Sequence, residues 1–210
     1  MTASSAQALS ILRDTAQFKW YIIPFLLVVL YIYAVEIQQK NWKVVFAGLA
    51  LWGMDWFNEI WNALVFHFTQ FAPVWGAPKD TAFLILIGLN IEITFMFLIM
   101  GVMAAKLLPA DKKMKIMGIP NRIFLAVANS IACCIVEIIL NAGGWLTWEY
   151  PWWQPTFPFV LFLIGYLPFF VACFAVHDLS STKKQAIAVG SILGFDLACL
   201  IIFGPVLGWI

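Results

Sequence analysis

The chain has 210 residues, 63% of them apolar and 17% aromatic, with only 11% charged and a net charge of +1. Soluble domains are about 45–50% apolar and about 25% charged, and a soluble monomer of this size could not hide so much apolar surface. The composition excludes a disordered chain, a secreted disulfide scaffold and a soluble nucleotide-binding fold. The balanced charge leaves no footprint for nucleic acid. What remains is an all-α protein, a polytopic transmembrane helix bundle.

Residues 1–19 read as a polar N-terminal segment without the charged-then-apolar pattern of a signal peptide. Residues 20–210 read as one transmembrane bundle domain. Six apolar stretches, at 20–37, 43–68, 81–106, 122–142, 157–177 and 186–209, are each able to cross a hydrocarbon core about 30 Å thick. Turn chemistry separates them at Gln38–Asn41, Pro73 to Pro78, Pro109 to Pro120, Pro151 to Pro158 and Ser180–Lys184. Pro24, Pro168 and Pro205 fall inside spans, where neighbouring helices tolerate a kink.

Arg13, Lys19 and Lys79 lie on one side of this layout. The other nine basic residues (Lys40, Lys43, Lys106, Lys112, Lys113, Lys115, Arg122, Lys183 and Lys184) lie on the opposite side. Basic loops stay cytoplasmic, so both termini are expected on the non-cytoplasmic face. Trp145, Trp148, Tyr150, Trp152 and Trp153 then fall in the outer loop after span four, as an interfacial aromatic belt would.

Polar residues interrupt the spans in a pattern. Asp55, Asn58, Glu59 and Asn62 in span two share one helical face, with Trp52 a turn below. Span three carries Asn90 and Glu92. Span four carries Asn129, Cys133, Glu137 and Asn141 at steps of four, and span six carries Asp196 near the midplane. A carboxyl at the centre of a membrane helix costs roughly 2.5–3.5 kcal/mol even on insertion scales. No lysine or arginine lies in a span interior to offset it. These five acids are therefore expected to face the bundle interior, where Glu59, Asp55, Glu92, Glu137 and Asp196 are the candidate catalytic groups. Trp52, Asn58, Asn62, Asn90, Asn141 and Trp61 are the candidate substrate-binding groups. Indole faces attract cations, more strongly where water is excluded, and Trp52 on the acidic face is the expected ligand wall.

The two histidines, His67 and His177, fall at opposite ends of the layout and predict no metal cluster. His177–Asp178 reads as an interfacial pair. Cys133, Cys134, Cys173 and Cys199 all fall inside spans and read as buried thiols without zinc or redox spacing. No cofactor is implied. The expected partners are membrane lipid and an apolar small molecule.

The run Asp55–Trp56–Phe57–Asn58–Glu59–Ile60–Trp61, with Glu92 in the next span, resembles the emopamil-binding (sterol isomerase) family. That family's pattern has a His, a Glu four residues on, a Trp two further, and a Glu in the following helix. Here Asp55 stands at the His position, while Glu59, Trp61 and Glu92 match. The family's Asn and Trp on a later helix correspond to Asn141 and Trp145 with the spacing off by one. The layout is also similar to the small fungal membrane-bound meroterpenoid cyclases, in which a Glu in an early span and an Asp near the end carry protonation, as Glu59 and Asp196 would. The resemblance implies an isomerase or cyclase acting on an isoprenoid- or sterol-like substrate. Glu59 would be the acid, Asp55 and Asn62 its partners, and Glu92, Glu137 or Asp196 the base. A second reading is a proton-coupled carrier of organic cations. The faint echo between Asn58–Ala63 and Glu137–Ala142 points that way, because internal repeats mark transporters.

Overall fold

The computed structural model describes all residues from Met1 to Ile210. In chain order the helices are α1 (Ala3–Ile11), α2 (Ile22–Gln38), α3 (Trp42–Thr69), α4 (Ile91–Lys106), α5 (Asn121–Ala142), α6 (Leu167–His177) and α7 (Thr182–Ile201). Two small antiparallel hairpins precede α4 and α5: β1 (Leu84–Leu86) with β2 (Leu89–Asn90), and β3 (Lys115–Ile116) with β4 (Ile119–Pro120).

The 28-residue α3 is the axis of the molecule, about 42 Å long at 1.5 Å per residue. It packs against α4, α6 and α7, and small residues make that possible. A methyl placed on Gly101 would lie 2.6 Å from the Gly48 carbonyl oxygen, so α3 and α4 cross backbone to backbone there. Gly53 makes room for side chains of α7, where a methyl would meet Ile192 Cγ2 at 2.6 Å. Below this crossing Leu51, Phe97, Val102, Phe169, Phe170 and Phe174 form the main apolar core.

The expected span over 81–106 is corrected: its first ten residues are not helical. Asn90 caps α4, its Oδ1 accepting from the Ile93 amide at 2.8 Å. The residues before it turn at Ile87–Gly88 into a buried hairpin. Hydropathy alone does not separate a buried hairpin from a helix, since both satisfy their backbone internally. Pro168 shapes the fifth stretch. It has no N–H to give the Ile164 carbonyl, and the helix swells into a π-helical turn over Leu161–Tyr166.

One end of the bundle gathers the termini and two long loops. The Thr2 amide donates to Phe71 O at 3.1 Å and the Arg13 amide to Leu84 O at 2.9 Å. Arg13 also reaches Ile210 O, and Ser4 bonds Glu149. At the opposite end Lys106 pairs with buried Glu36, which also accepts from Asn41 at 2.8 Å. There too Arg122 holds both oxygens of Asp178 at 3.0 Å, beside His177 and Lys112. Burial opposes ionisation of Asp178, but these partners outweigh it and hold its carboxyl well below the usual range.

Two helical stretches, Asn121–Ala142 and Thr182–Val206, are long and apolar enough to cross a membrane, and Ile22–Gln38 and Leu161–His177 are shorter apolar helices. Their outer faces are apolar. Leu27 and Leu30 on α2, Ile135 and Ile139 on α5, and Ile187 and Leu197 on α7 are all exposed.

Candidate functional site

The stripe on α3 places Asp55, Asn58 and Glu59 on the wall of a cavity of about 260 Å³. Glu137 faces it from α5, and Ile93, Met96, Phe97 and Met100 line it from α4. Leu161, Gly165, Tyr166 and Phe169 close the α6 side. The lining is mostly apolar and aromatic, and the carboxyls are its main polar feature.

The two glutamates are held alike. Trp75 donates its indole N–H to Glu59 Oε1 at 2.8 Å, and Trp148 donates its own to Glu137 Oε1 at 3.2 Å. Each indole comes from the loop that follows its helix, and an asparagine on that helix ties the loop down. Asn62 accepts from the Val74 amide at 2.7 Å and donates to Trp75 O at 2.7 Å; Asn141 donates to Leu146 O at 3.1 Å. The two loops then pair with each other. The Gly76 amide donates to Thr147 O at 3.0 Å, and the Thr147 amide returns a bond to Gly76 O at 2.9 Å. The echo between the two helices is therefore a repeated device of acid, asparagine and loop indole.

They differ in what meets the second oxygen. Tyr166 donates its hydroxyl to Glu137 Oε2 at 2.5 Å, so both oxygens of Glu137 accept bonds from the protein. Glu59 Oε2 is buried and accepts none. It lies over Gly88, where an added methyl would come within 2.7 Å of it. The indole N–H of Trp153, which is 1% exposed, is also unpartnered on the cavity wall. The Trp153 ring stacks on Trp75 with centroids 5.2 Å apart.

The remaining candidates divide. Asn58 donates to Ile164 O at 3.0 Å, filling the bond that Pro168 vacates, while also lining the cavity. Asp196 is buried against α3 beside Gly53, next to Asp55 but outside the cavity lining. Both its oxygens and Asp55 Oδ2 are without hydrogen-bond partners. Glu92 is not brought to the other acids. It accepts from Thr81 Oγ1 at 2.5 Å, the Ala82 amide at 2.7 Å and Tyr21, and so ties the chain before β1 to α4. Asn90 serves as the α4 cap. Trp52 turns its N–H to Thr94 at 2.9 Å, and Trp61 packs against Trp75. Neither lines the cavity, which corrects the expectation that Trp52 is the ligand wall. Trp148 and Trp153 correct the expected aromatic belt, because they turn inward. The indoles at the site were missed because they come from loops, 16 and 11 residues from the acids they serve; Pro73 and Pro151 beside them were the available signal of ordered loops.

The cavity has a mouth. Its α4 and α5 linings include Met96 and Val136, which are 40% and 49% exposed, and these two helices share no extended packing. The gap closes toward the basic end at Cys133 and Met100, whose sulfurs are 3.5 Å apart.

No solved structure matches the chain. An uncharacterized protein of Archaeoglobus fulgidus is 61% identical over 209 residues, covering 100% of this chain and 99% of the relative. A shorter one from the same organism is 58% identical over 53 residues, 25% of this chain and 95% of the relative. A family model matches residues 2–205. The chain belongs to that family, described as an uncharacterized membrane protein family.

Proposed function

We propose that this protein is a membrane-embedded acid/base enzyme, an isomerase or cyclase, acting on an apolar isoprenoid- or sterol-like molecule that enters from the bilayer. The observation that carries the reading is the unequal pair of glutamates on one apolar cavity. Glu59, with a bare Oε2, delivers a proton to a substrate double bond. This breaks its O–H bond, forms a C–H bond and leaves a carbocation beside the π faces of Trp75 and Trp153. Glu137, already accepting two hydrogen bonds as a carboxylate would, removes a proton from a neighbouring carbon. The released electron pair forms the new double bond, directly or after ring closure. Return of the proton from Glu137 to Glu59 resets the site, with no redox partner needed. The resemblance of the span-two run to isomerases and cyclases supports the same chemistry, with Asp55 positioned behind Glu59.

The bundle is proposed to cross the membrane six times, through α2, α3, α4, α5, the helix ending in α6, and α7. Both termini then lie on the non-cytoplasmic face, with the basic loops opposite. The aromatic core beneath the cavity weighs against a carrier, which needs an aqueous path.

The test uses purified protein in liposomes made with deuterated water, supplied with geranylgeraniol, squalene or a sterol mixture. Mass spectrometry of the recovered lipid should show carbon-bound deuterium and an isomerised or cyclised product, both lost in Glu59→Gln. No deuterium gain with any of the three, or undiminished gain in Glu59→Gln, would overturn the assignment.

A further inference from the structure

A second cavity, of about 340 Å³, adjoins the first on its loop-covered side. Ile93 of α4, Leu140 of α5 and Leu146 of the following loop line both. Ile93 is about one turn from Met96, and Leu140 about one turn from Glu137. The two cavities therefore succeed each other along the gap between α4 and α5. By helical rise Met96 lies about 8 Å inside the start of α4, and Val136 about 9 Å inside the end of α5. Half a hydrocarbon core is about 15 Å thick. In the six-span arrangement the inner cavity thus opens level with the part of the leaflet nearer the headgroups, and the outer cavity lies at the headgroup border. Trp145, exposed on the outer cavity, suits that border.

The chemistry of the outer cavity is different. Its acids are already engaged: Asp80 pairs with Lys19, and Glu92 accepts from Thr81, Tyr21 and the Ala82 amide. Its uncommitted groups are donors. Lys79 gives one N–H to Gly143 O at 2.5 Å, with its Nζ 4.6 Å from the centroid of the Trp145 ring, and meets no carboxylate. An ammonium has three N–H groups, so holding the end of α5 leaves two. Asn90 spends its Oδ1 on the Ile93 amide, which leaves its Nδ2 without a protein partner. An ammonium and an amide donor on one cavity wall suit an anionic acceptor.

We propose, resting on the enzyme reading above, that the substrate is an anionic chain lipid. Its phosphate or carboxylate head sits at Lys79 and Asn90, and the carbons next to the head lie beside Glu59 and Glu137. Gly143, whose carbonyl Lys79 holds, is six residues from Glu137, so head and acid are about 9 Å apart along the bundle. The rest of the chain leaves through the mouth at Met96 and Val136 into the bilayer. A neutral alcohol of the same chain reaches the inner cavity without this anchor.

Photolabelling tests this without turnover. Sixteen-carbon chains with a diazirine near the head, bearing phosphate, carboxylate, hydroxyl or trimethylammonium, are incorporated at equal mole fraction into phosphatidylcholine liposomes holding the protein. The phosphate or the carboxylate probe should label Glu59, Glu137 or Met100 at least five-fold more than the hydroxyl and trimethylammonium probes. The same anionic chain with its diazirine at the far end should label outward residues such as Ile131 and Ile135. Lys79→Gln should abolish the five-fold preference while leaving labelling by the hydroxyl probe unchanged, and Lys79→Arg should retain the preference. Equal labelling by all four heads, or an undiminished preference in Lys79→Gln, would overturn the inference. So would an equal fall with every probe in Lys79→Gln, which marks a structural lysine, or displacement of the anionic probe by excess inorganic phosphate, which marks a site for a free anion. The expected head preference without deuterium exchange counts against the chemistry alone, and deuterium exchange without head preference against this inference alone.

Discussion

Replacing Gly88 with alanine probes whether the β1–β2 hairpin seals the carboxyl site. The added methyl would lie 2.5 Å from Asn62 Nδ2, 2.7 Å from Glu59 Oε2 and 2.7 Å from Trp75 Cδ1. None of these can step aside freely. Asn62 is bonded to the backbone on both sides of Val74–Trp75, and the Trp75 indole is bonded to Glu59. Overpacking a close-fitted interior costs about 1–3 kcal/mol, and losing one of these hydrogen bonds adds about 1 kcal/mol. The expected loss is about 2–4 kcal/mol, a fall in midpoint of about 5–15 °C for a chain of this size. The assay is thermal unfolding in detergent followed by tryptophan fluorescence, with Gly190→Ala and Gly194→Ala as controls. At both control positions an added methyl meets nothing within 4 Å, and alanine is favoured over glycine in a helix by up to about 1 kcal/mol. Both controls should therefore melt at or above wild type. A Gly88→Ala protein melting within a degree of wild type would refute the seal.

Gly101→Ala should lower stability by about 1–3 kcal/mol in the same assay, because the methyl meets the α3 backbone rather than a movable side chain. Trp75→Phe keeps a ring against Trp153 but removes the donor to Glu59; deuterium incorporation should fall at least ten-fold, with a smaller loss of stability than Gly88→Ala shows. The Asp178 carboxyl titrates below its ordinary value when folded, so its contribution is full above about pH 4 and fades as pH falls through the folded value. Arg122→Gln should therefore be less stable than wild type at pH 6 and converge with it toward pH 2, as read by pH-dependent melting. Single cysteines introduced at Ser4 and Lys112 should react with impermeant maleimide from opposite faces of sealed vesicles, Ser4→Cys from the non-cytoplasmic side; labelling of both from one side would remove the six-span topology.

The acids of α3 and α5 were legible because helical spacing fixes which residues share a face: Asp55, Asn58 and Glu59 recur at three and four, and Glu137 follows Cys133 at four. Both stripes reach the cavity. Their partners were not legible, because Trp75, Trp148 and Tyr166 arrive from separate segments whose positions depend on tertiary packing. The same limit hid the hairpin over 84–90, where an unbroken apolar run masks a change of backbone conformation at Gly88. Asp196 and Glu92 show the converse. Each is an acid in an apolar stretch, yet the register of α7 turns one behind α3, and the turn into α4 commits the other to the Ala82 amide and the Thr81 and Tyr21 hydroxyls.

The pairing of Gly76 with Thr147 has a consequence for the cell's energy supply. Ionisable groups halfway through a bilayer are half of a proton wire, and a complete wire would dissipate the membrane potential, worth about 2.3 kcal/mol per charge at 100 mV. The two loops that carry Trp75 and Trp148 to the glutamates are hydrogen-bonded to each other through both backbone bonds of the bridge, so the indoles and the bridge lie between the two acids and that face. On the opposite side the phenylalanines of α4 and α6 pack into the main apolar core. Under the proposed enzyme reading, such packing would let a proton cycle between the two carboxyls without becoming a current.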